Sequence, residues 1–139
     1  MAATSINEGC DFITQWILNQ TPAIIPLKLR LYTNNHAPAS TDTFVGAQMT
    51  EISGAVFTPI TLATTWSGST SAGLSTYTLA NQVCTLGAGG AGTTVWGYFL
   101  TLTVAATNYI FSASLLGSSY LIPVGGGSLT LGPTWTNQM

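Results

Sequence analysis

The residues that could carry chemistry in this chain are concentrated in one stretch. Tyr32, His36, Asp42 and Glu51 lie close in sequence, and a hydroxyl, an imidazole and a carboxyl group are the parts of a nucleophilic triad. The sequence has no Gly-x-Ser-x-Gly turn of the kind that often carries a nucleophilic serine. His36 lies in an Asn-rich turn that ends at Pro38, which is typical of a surface residue. We therefore expect no catalytic residues and no enzymatic activity.

The sequence also has few residues that could bind a metal or a cofactor. The chain has one histidine and two cysteines, Cys10 and Cys84, whereas a structural metal site needs about four clustered ligands. Small buried thiols are the favoured interpretation, with a disulfide as the alternative. Gly87-Ala-Gly-Gly-Ala-Gly92 matches a nucleotide-binding loop only loosely, and no acid follows it in the sequence. We expect no metal, no cofactor and an ordinary glycine-rich loop.

Charge is scarce and unevenly distributed. Only 4% of the 139 residues are charged, against about 25% in a typical soluble domain. All of them precede Ile52: Glu8, Asp11, Lys28, Arg30, Asp42 and Glu51. Two cations and a net charge of −2 do not favour nucleic-acid binding, because clustered Lys and Arg supply that attraction. Paired carboxyls for sugar hydrolysis are also in short supply.

Neither a membrane span nor an export signal is predicted. The most apolar window, residues 93–115, is interrupted by Gly, Thr, Asn and Ser, and a spanning helix needs about 20 mainly apolar residues. The N-terminus lacks a basic region and carries polar residues where a signal peptide is apolar. We expect synthesis in the cytoplasm and no membrane partner.

Two kinds of element must position the polar stretch. Residues 1–22 predict an N-terminal helical segment, because Ser5-Ile-Asn-Glu8 fits a capping box and Phe12, Ile13, Trp16 and Ile17 share one helical face. This face should cover an open end or face of the body that follows. From position 26 the periodicity changes to two, as expected for strands.

The predicted strands cover residues 27–33, 56–64, 75–85, 94–103, 109–115, 119–124 and 128–134, with a long exposed polar loop at 39–48. Glycine-rich breaks separate them, including 67–73 and 116–118. The sequence predicts one domain, 1–139, that is mainly β: an antiparallel β-sandwich or jelly roll over residues 26–139, with one N-terminal α-helix.

The aromatic residues allow two interpretations. Trp66, Trp96, Tyr98, Tyr109, Tyr120 and Trp135 could form a carbohydrate-stacking platform. However, Val95-Trp-Gly-Tyr-Phe-Leu100 is apolar on both alternating faces, which is typical of a central buried strand. We favour core packing, with a carbohydrate-binding module as an alternative.

The order of four motifs resembles a family of small structural proteins of tailed bacteriophages. The motifs are Leu27-Lys-Leu-Arg-Leu-Tyr-Thr-Asn-Asn35, Thr50-Glu-Ile-Ser-Gly54, Thr94-Val-Trp-Gly-Tyr-Phe99 and Ile122-Pro-Val-Gly-Gly-Gly-Ser-Leu-Thr-Leu131. The resemblance covers nearly the whole chain. It departs at 52–57, where an aromatic residue is displaced, and after Asn108, where the family's charged residues are missing.

The resemblance implies a place in the virion and no reaction. We expect a capsid decoration (cement) protein on the outer face of the head shell, with the major capsid protein and copies of itself, as a homotrimer, for partners. The alternative is a tail, neck or fibre-associated component that binds a receptor. Contacts with the capsid are expected in the N-terminal segment and between positions 34 and 51. The candidate contact residues, which include two on the polar face of the first strand, are Lys28, Arg30, Asn34, Asn35, His36, Asp42 and Glu51.

Overall fold

The computed structural model describes residues 4–5, 26–44, 48–63, 67–72, 74–104 and 106–138. These residues form a mainly β structure with antiparallel sheets, as the sequence predicts. The strands are β1 (Thr4–Ser5), β2 (Lys28–Tyr32), β3 (Ile60–Thr61), β4 (Ser67–Ser71), β5 (Leu74–Thr78), β6 (Gln82–Leu86), β7 (Thr94–Val104), β8 (Thr107–Leu121), β9 (Gly127–Leu131) and β10 (Thr134–Gln138). The predicted N-terminal helix lies outside the described residues, apart from the two residues of β1.

The largest sheet has the order β1-β8-β7-β2-β3. Its centre is the β7–β8 hairpin, whose turn includes Ala106 at a φ of 66°. The other sheets have the orders β10-β5-β4 and β6-β9. The prediction that Val95–Leu100 lies in a central strand is confirmed: β7 has neighbours on both sides, and Tyr98, Phe99 and Leu100 are buried.

The main core draws residues from more than one sheet. Leu29 and Leu31 of β2 pack in one cluster with Leu100 of β7, Cys84 of β6 and Leu131 of β9. A second, smaller cluster lies on the opposite face of the large sheet and contains Tyr32, Met49, Phe99, Ile110 and Ala113. The large sheet is therefore covered on both faces near the end of β2, although the alternating sequence of β2 predicts one polar face.

Several predicted strand limits are wrong. Residues 67–73 were expected to be a break, but β4 lies there and pairs with β5. Residues 75–85 divide into β5 and β6, which join different sheets: β5 pairs with β4 and β10, whereas β6 pairs with β9.

The predicted break at 116–118 lies inside β8. Gly97 pairs with Leu115 and Val95 pairs with Tyr120, so residues 116–119 bulge out while the ladder continues beyond them. Small residues suit such a bulge, since they tolerate the local change in direction. The Gly-Ser sequence therefore marks an irregularity within the strand and not its end.

Candidate functional site

The polar stretch chosen from the sequence folds into one connected unit at the end of β2. The chain leaves β2 at Tyr32, makes a loop and returns so that Glu51 forms a bridge to Tyr32. The Thr33 amide donates to the Thr50 carbonyl at 2.9 Å, and the Ile52 amide donates to the Leu31 carbonyl at 3.0 Å. We call the described residues 30–36, 42 and 48–51 the β2-end cluster.

Asn34 joins the outgoing and returning arms of the loop. Its side-chain Nδ2 donates to the Gln48 carbonyl at 2.6 Å, and its Oδ1 accepts from the Thr50 amide at 2.7 Å. The side-chain amide thus presents a donor and an acceptor in the same way as a peptide group, which suits a position where the backbone ladder ends.

Arg30 is held by three neighbours. Its Nη1 lies 2.7 Å from Glu51 Oε1, and its Nε donates to Thr101 Oγ1 at 2.9 Å. Its guanidinium carbon lies 5.5 Å from the centre of the Phe44 ring, a cation–π distance. The Arg30 side chain is only 14% exposed, so this pair is protected from water better than an ordinary surface salt bridge.

His36 and Asp42 form the second pair of the cluster. His36 Nε2 lies 2.7 Å from Asp42 Oδ2, and the same oxygen accepts from the Ala39 amide at 2.9 Å. The Asp42 side chain is 4% exposed, although the sequence predicts an exposed loop here. Asp42 therefore holds the loop together from inside by contacting both His36 and the Ala39 amide.

Tyr32 connects this pair to the large sheet. Its hydroxyl lies 3.0 Å from the His36 carbonyl and 3.4 Å from the Ser114 carbonyl of β8. Burial, with a further contribution from the negative charge of Asp42, raises the pKa of Tyr32 to about 12. The hydroxyl stays protonated at neutral pH and acts as a donor to these carbonyls.

Five of the seven predicted site residues belong to this network: Arg30, Asn34, His36, Asp42 and Glu51. Lys28 is half-buried in β2, and Asn35 is exposed in the turn. Neither side chain has a polar contact with another residue in the described ranges. Thr101 and Ser114 lie far from β2 along the chain, and nothing in the sequence around them marks them as partners of this cluster.

The geometry of the cluster suits a structural role. Asp42 occupies the Nε2 side of the His36 ring, where a serine hydroxyl lies in the triad of the serine proteases. The nearby Tyr32 hydroxyl points to carbonyl oxygens, and its raised pKa makes it a poor nucleophile. What the arrangement can do is hold the loop against the sheet and pair the Arg30 charge with that of Glu51.

A second feature is an apolar cleft of about 210 Å³ lined by Leu27, Tyr77, Phe111 and Trp135. The Trp135 ring stacks on Tyr77 at 5.6 Å and contacts Phe111 at 5.1 Å, measured between ring centres. Of the six aromatics considered for a stacking platform, Tyr98 is buried and Trp135 lines this cleft. Trp66 lies outside the described residues.

The cysteine prediction is confirmed for Cys84, which is buried and carries a free thiol. Burial raises the pKa of this thiol to about 11. Cys10 lies outside the described residues. Within the part of the chain that the structure describes, no three His, Cys, Asp or Glu side chains gather as a metal site would require.

The fold and cluster define a mainly β, antiparallel protein with an internally braced polar loop. Comparison with known proteins adds no family to this description: no protein-family model, no curated protein and no solved structure matches the chain. The described residues also contain no helix long and apolar enough to span a bilayer.

Proposed function

We propose that this chain is a bacteriophage virion structural protein, a capsid decoration (cement) protein that binds the outer face of the head shell. Its partners in this proposal are the major capsid protein and two further copies of itself, and it has no catalytic, nucleic-acid or membrane role. It is made in the host cytoplasm and resides on the virion surface. The proposal starts from the resemblance of its motifs to small proteins of tailed bacteriophages.

The observation that carries the proposal is the local pairing of charge. Of the charged residues that the structure describes, Arg30 forms an ion pair with Glu51, and Asp42 is buried in contact with His36, which leaves Lys28. An interface that covers unpaired charges must remove their water at a cost of several kcal/mol per ion. A surface whose charges are already paired, and which is otherwise rich in Ser and Thr, avoids that cost and still offers hydrogen bonds.

We further infer that the body is a single β-sandwich, with the β6-β9 sheet packed across the large sheet. Support comes from the main core, which contains Cys84 and Leu131 together with Leu29 and Leu100. Two packed layers give a rigid body. Rigidity suits a protein that links neighbouring shell subunits, because little ordering is then required on binding.

Paired residues of the β2-end cluster and free residues within or beside it should contribute differently to shell binding. Arg30, His36, Asp42 and Glu51 would shape the contact surface, whereas Lys28 and Asn35 are available for new polar contacts. A surface contact of Lys28 is worth about 0–1 kcal/mol. We therefore expect Lys28→Ala to weaken the affinity for the shell by no more than about fivefold, and Asp42→Ala to weaken it more by releasing the loop.

The direct test is the copy number and position of the protein on the particle. Quantitative mass spectrometry of purified virions, with electron microscopy of labelled particles, should find hundreds of copies over the head. A handful of copies at one vertex would instead support the tail, neck or fibre alternative. Absence of the chain from purified virions would refute both proposals.

A further inference from the structure

An open groove runs between β6 and the segment that leads into β3. Val83 and Thr85 line one wall, and Val56, Phe57, Thr58 and Ile60 line the other, around a volume of about 450 Å³. None of the residues lining the groove is charged. Val83 is 59% exposed there, which is unusual for a large apolar side chain within a strand.

One edge of β6 faces this groove and has no strand neighbour among the described residues. The Gly87 amide donates to the Val56 carbonyl at 2.8 Å, so the backbone N–H of Gly87 is directed away from β9. Successive residues of an antiparallel strand direct their N–H and C=O groups to opposite edges. The backbone N–H and C=O groups of Thr85 and Val83 are therefore directed the same way as those of Gly87. Among the described residues, no backbone group bonds to them on this side.

The opposite wall is protected against strand pairing. The Leu62 amide donates to the Leu27 carbonyl at 2.8 Å, so the backbone N–H and C=O groups of Leu62 and Ile60 are directed towards β2. The backbone groups of Pro59 and Thr61 are therefore directed outwards, and proline has no amide hydrogen to donate. Proline at an outward position is a common device that prevents pairing at a sheet edge, and β6 has no such device.

We propose that this groove binds one extended, uncharged segment of a partner polypeptide, which adds as a strand to the free edge of β6. Val83 and Thr85 on one side and the segment before β3 on the other bound the groove, so an added strand would have a wall on each side. Peptide groups at Val83 and Thr85 supply the hydrogen bonds, and the exposed Val83 side chain supplies an apolar contact, as in other strand-addition complexes. The inference goes beyond the proposed function.

Amide hydrogen exchange of the intact protein, followed residue by residue by NMR, tests the proposal. In the free protein the amides of Val83 and Thr85 should exchange at least about tenfold faster than those of Cys84 and Leu86, which point towards β9. The probe is a blocked, uncharged heptapeptide of alternating Thr and Val. At saturation it should slow exchange at Val83 and Thr85 by at least about tenfold and leave Cys84 unchanged.

Two controls isolate the backbone contribution. The same peptide with N-methyl groups on its three central residues loses donors on both edges and should not protect the two amides. Val83→Pro removes one outward amide and should abolish binding, while Val83→Ala keeps the amide and should bind within about threefold of the original protein. If Val83→Pro does not fold, the exchange measurements on the unaltered protein still decide.

Three results would overturn the proposal. In the first, Val83 and Thr85 are as protected as Cys84 in the free monomer. In the second, a saturating peptide leaves their exchange unchanged. In the third, protection rises with protein concentration in the absence of peptide, which would mean that a second copy of the chain occupies the edge.

Discussion

Replacing Asp42 with alanine should destabilise the protein more than any other single change in the loop. The substitution removes a carboxyl group that is 4% exposed and that contacts His36 at 2.7 Å and the Ala39 amide at 2.9 Å. A hydrogen bond to a charged group is worth about 1.5–3 kcal/mol. His36 is 24% exposed, so water replaces part of its lost contact, and we expect the free energy of unfolding to fall by about 2–3 kcal/mol.

Urea unfolding of the purified variant measures this loss directly. Ser40→Ala is the matched control, because Ser40 is an exposed residue of the same loop and should change stability by less than about 0.5 kcal/mol. Asp42→Asn should fall between the two, since the amide oxygen can still accept from the Ala39 amide. Faster hydrogen exchange at Ala39 in Asp42→Ala would place the effect in the loop.

A double-mutant cycle with His36→Ala separates the pair from the rest of the loop. Residues in direct contact typically show coupling of about 0.5–3 kcal/mol, and we expect at least about 1 kcal/mol for this pair. Additive effects of the two substitutions, within about 0.3 kcal/mol, would show that the 2.7 Å contact contributes nothing. The account of the loop as braced by Asp42 would then be wrong.

Three further predictions concern the surrounding core. Tyr32→Phe should lower the free energy of unfolding by about 1–2 kcal/mol, because the part-buried His36 carbonyl and the buried Ser114 carbonyl lose the one hydrogen that the hydroxyl shares between them, while Tyr109→Phe should have little effect in the same urea titration. Gly97→Ala should lower the melting temperature in calorimetry, because a methyl group there would overlap the Tyr32 hydroxyl and the Ser114 carbonyl; an unchanged melting temperature would contradict this packing. Stability should fall between about pH 9 and pH 11, because the unfolded Cys84 thiol ionises while the folded thiol, with its pKa raised to about 11, does not. Cys84→Ala should remove up to about 1.4 kcal/mol per pH unit of that slope, and identical slopes for both proteins would refute the assignment.

The local hydrophobic pattern was sufficient to predict a strand where that strand has clear alternation or a continuous apolar run. Alternation in β2 puts Leu29 and Leu31 on one face, which lies in the main core, and the apolar run at Val95–Leu100 correctly predicts a central strand. It failed where pairing between distant segments decides the structure. Small and polar residues at 67–71 form a strand because β5 offers them a partner, and the Gly-Ser sequence at 117–118 stays within β8 because β7 continues beside it.

The candidate site could likewise be predicted only in part from the sequence. The sequence brings the titratable residues together between positions 28 and 51, and a loop of that length can contact itself without help from the rest of the chain. Its pairing and burial depend on the large sheet: Thr101 of β7 binds Arg30, and the Ser114 carbonyl of β8 accepts from Tyr32. These partners are 71 and 82 residues away along the chain, so no local spacing could reveal them.

The sequence alone determined that this is a charge-poor, mainly β protein whose charges all precede Ile52, since composition and alternation are properties of the chain itself. Only the tertiary structure decided that Asp42 is buried against His36, that Arg30 pairs with Glu51, and that β6 has one strand neighbour among the described residues, with a groove beside its other edge. The physical reason is that burial, ion pairing and strand edges depend on which distant segments become neighbours, and many pairings are compatible with the same alternating pattern.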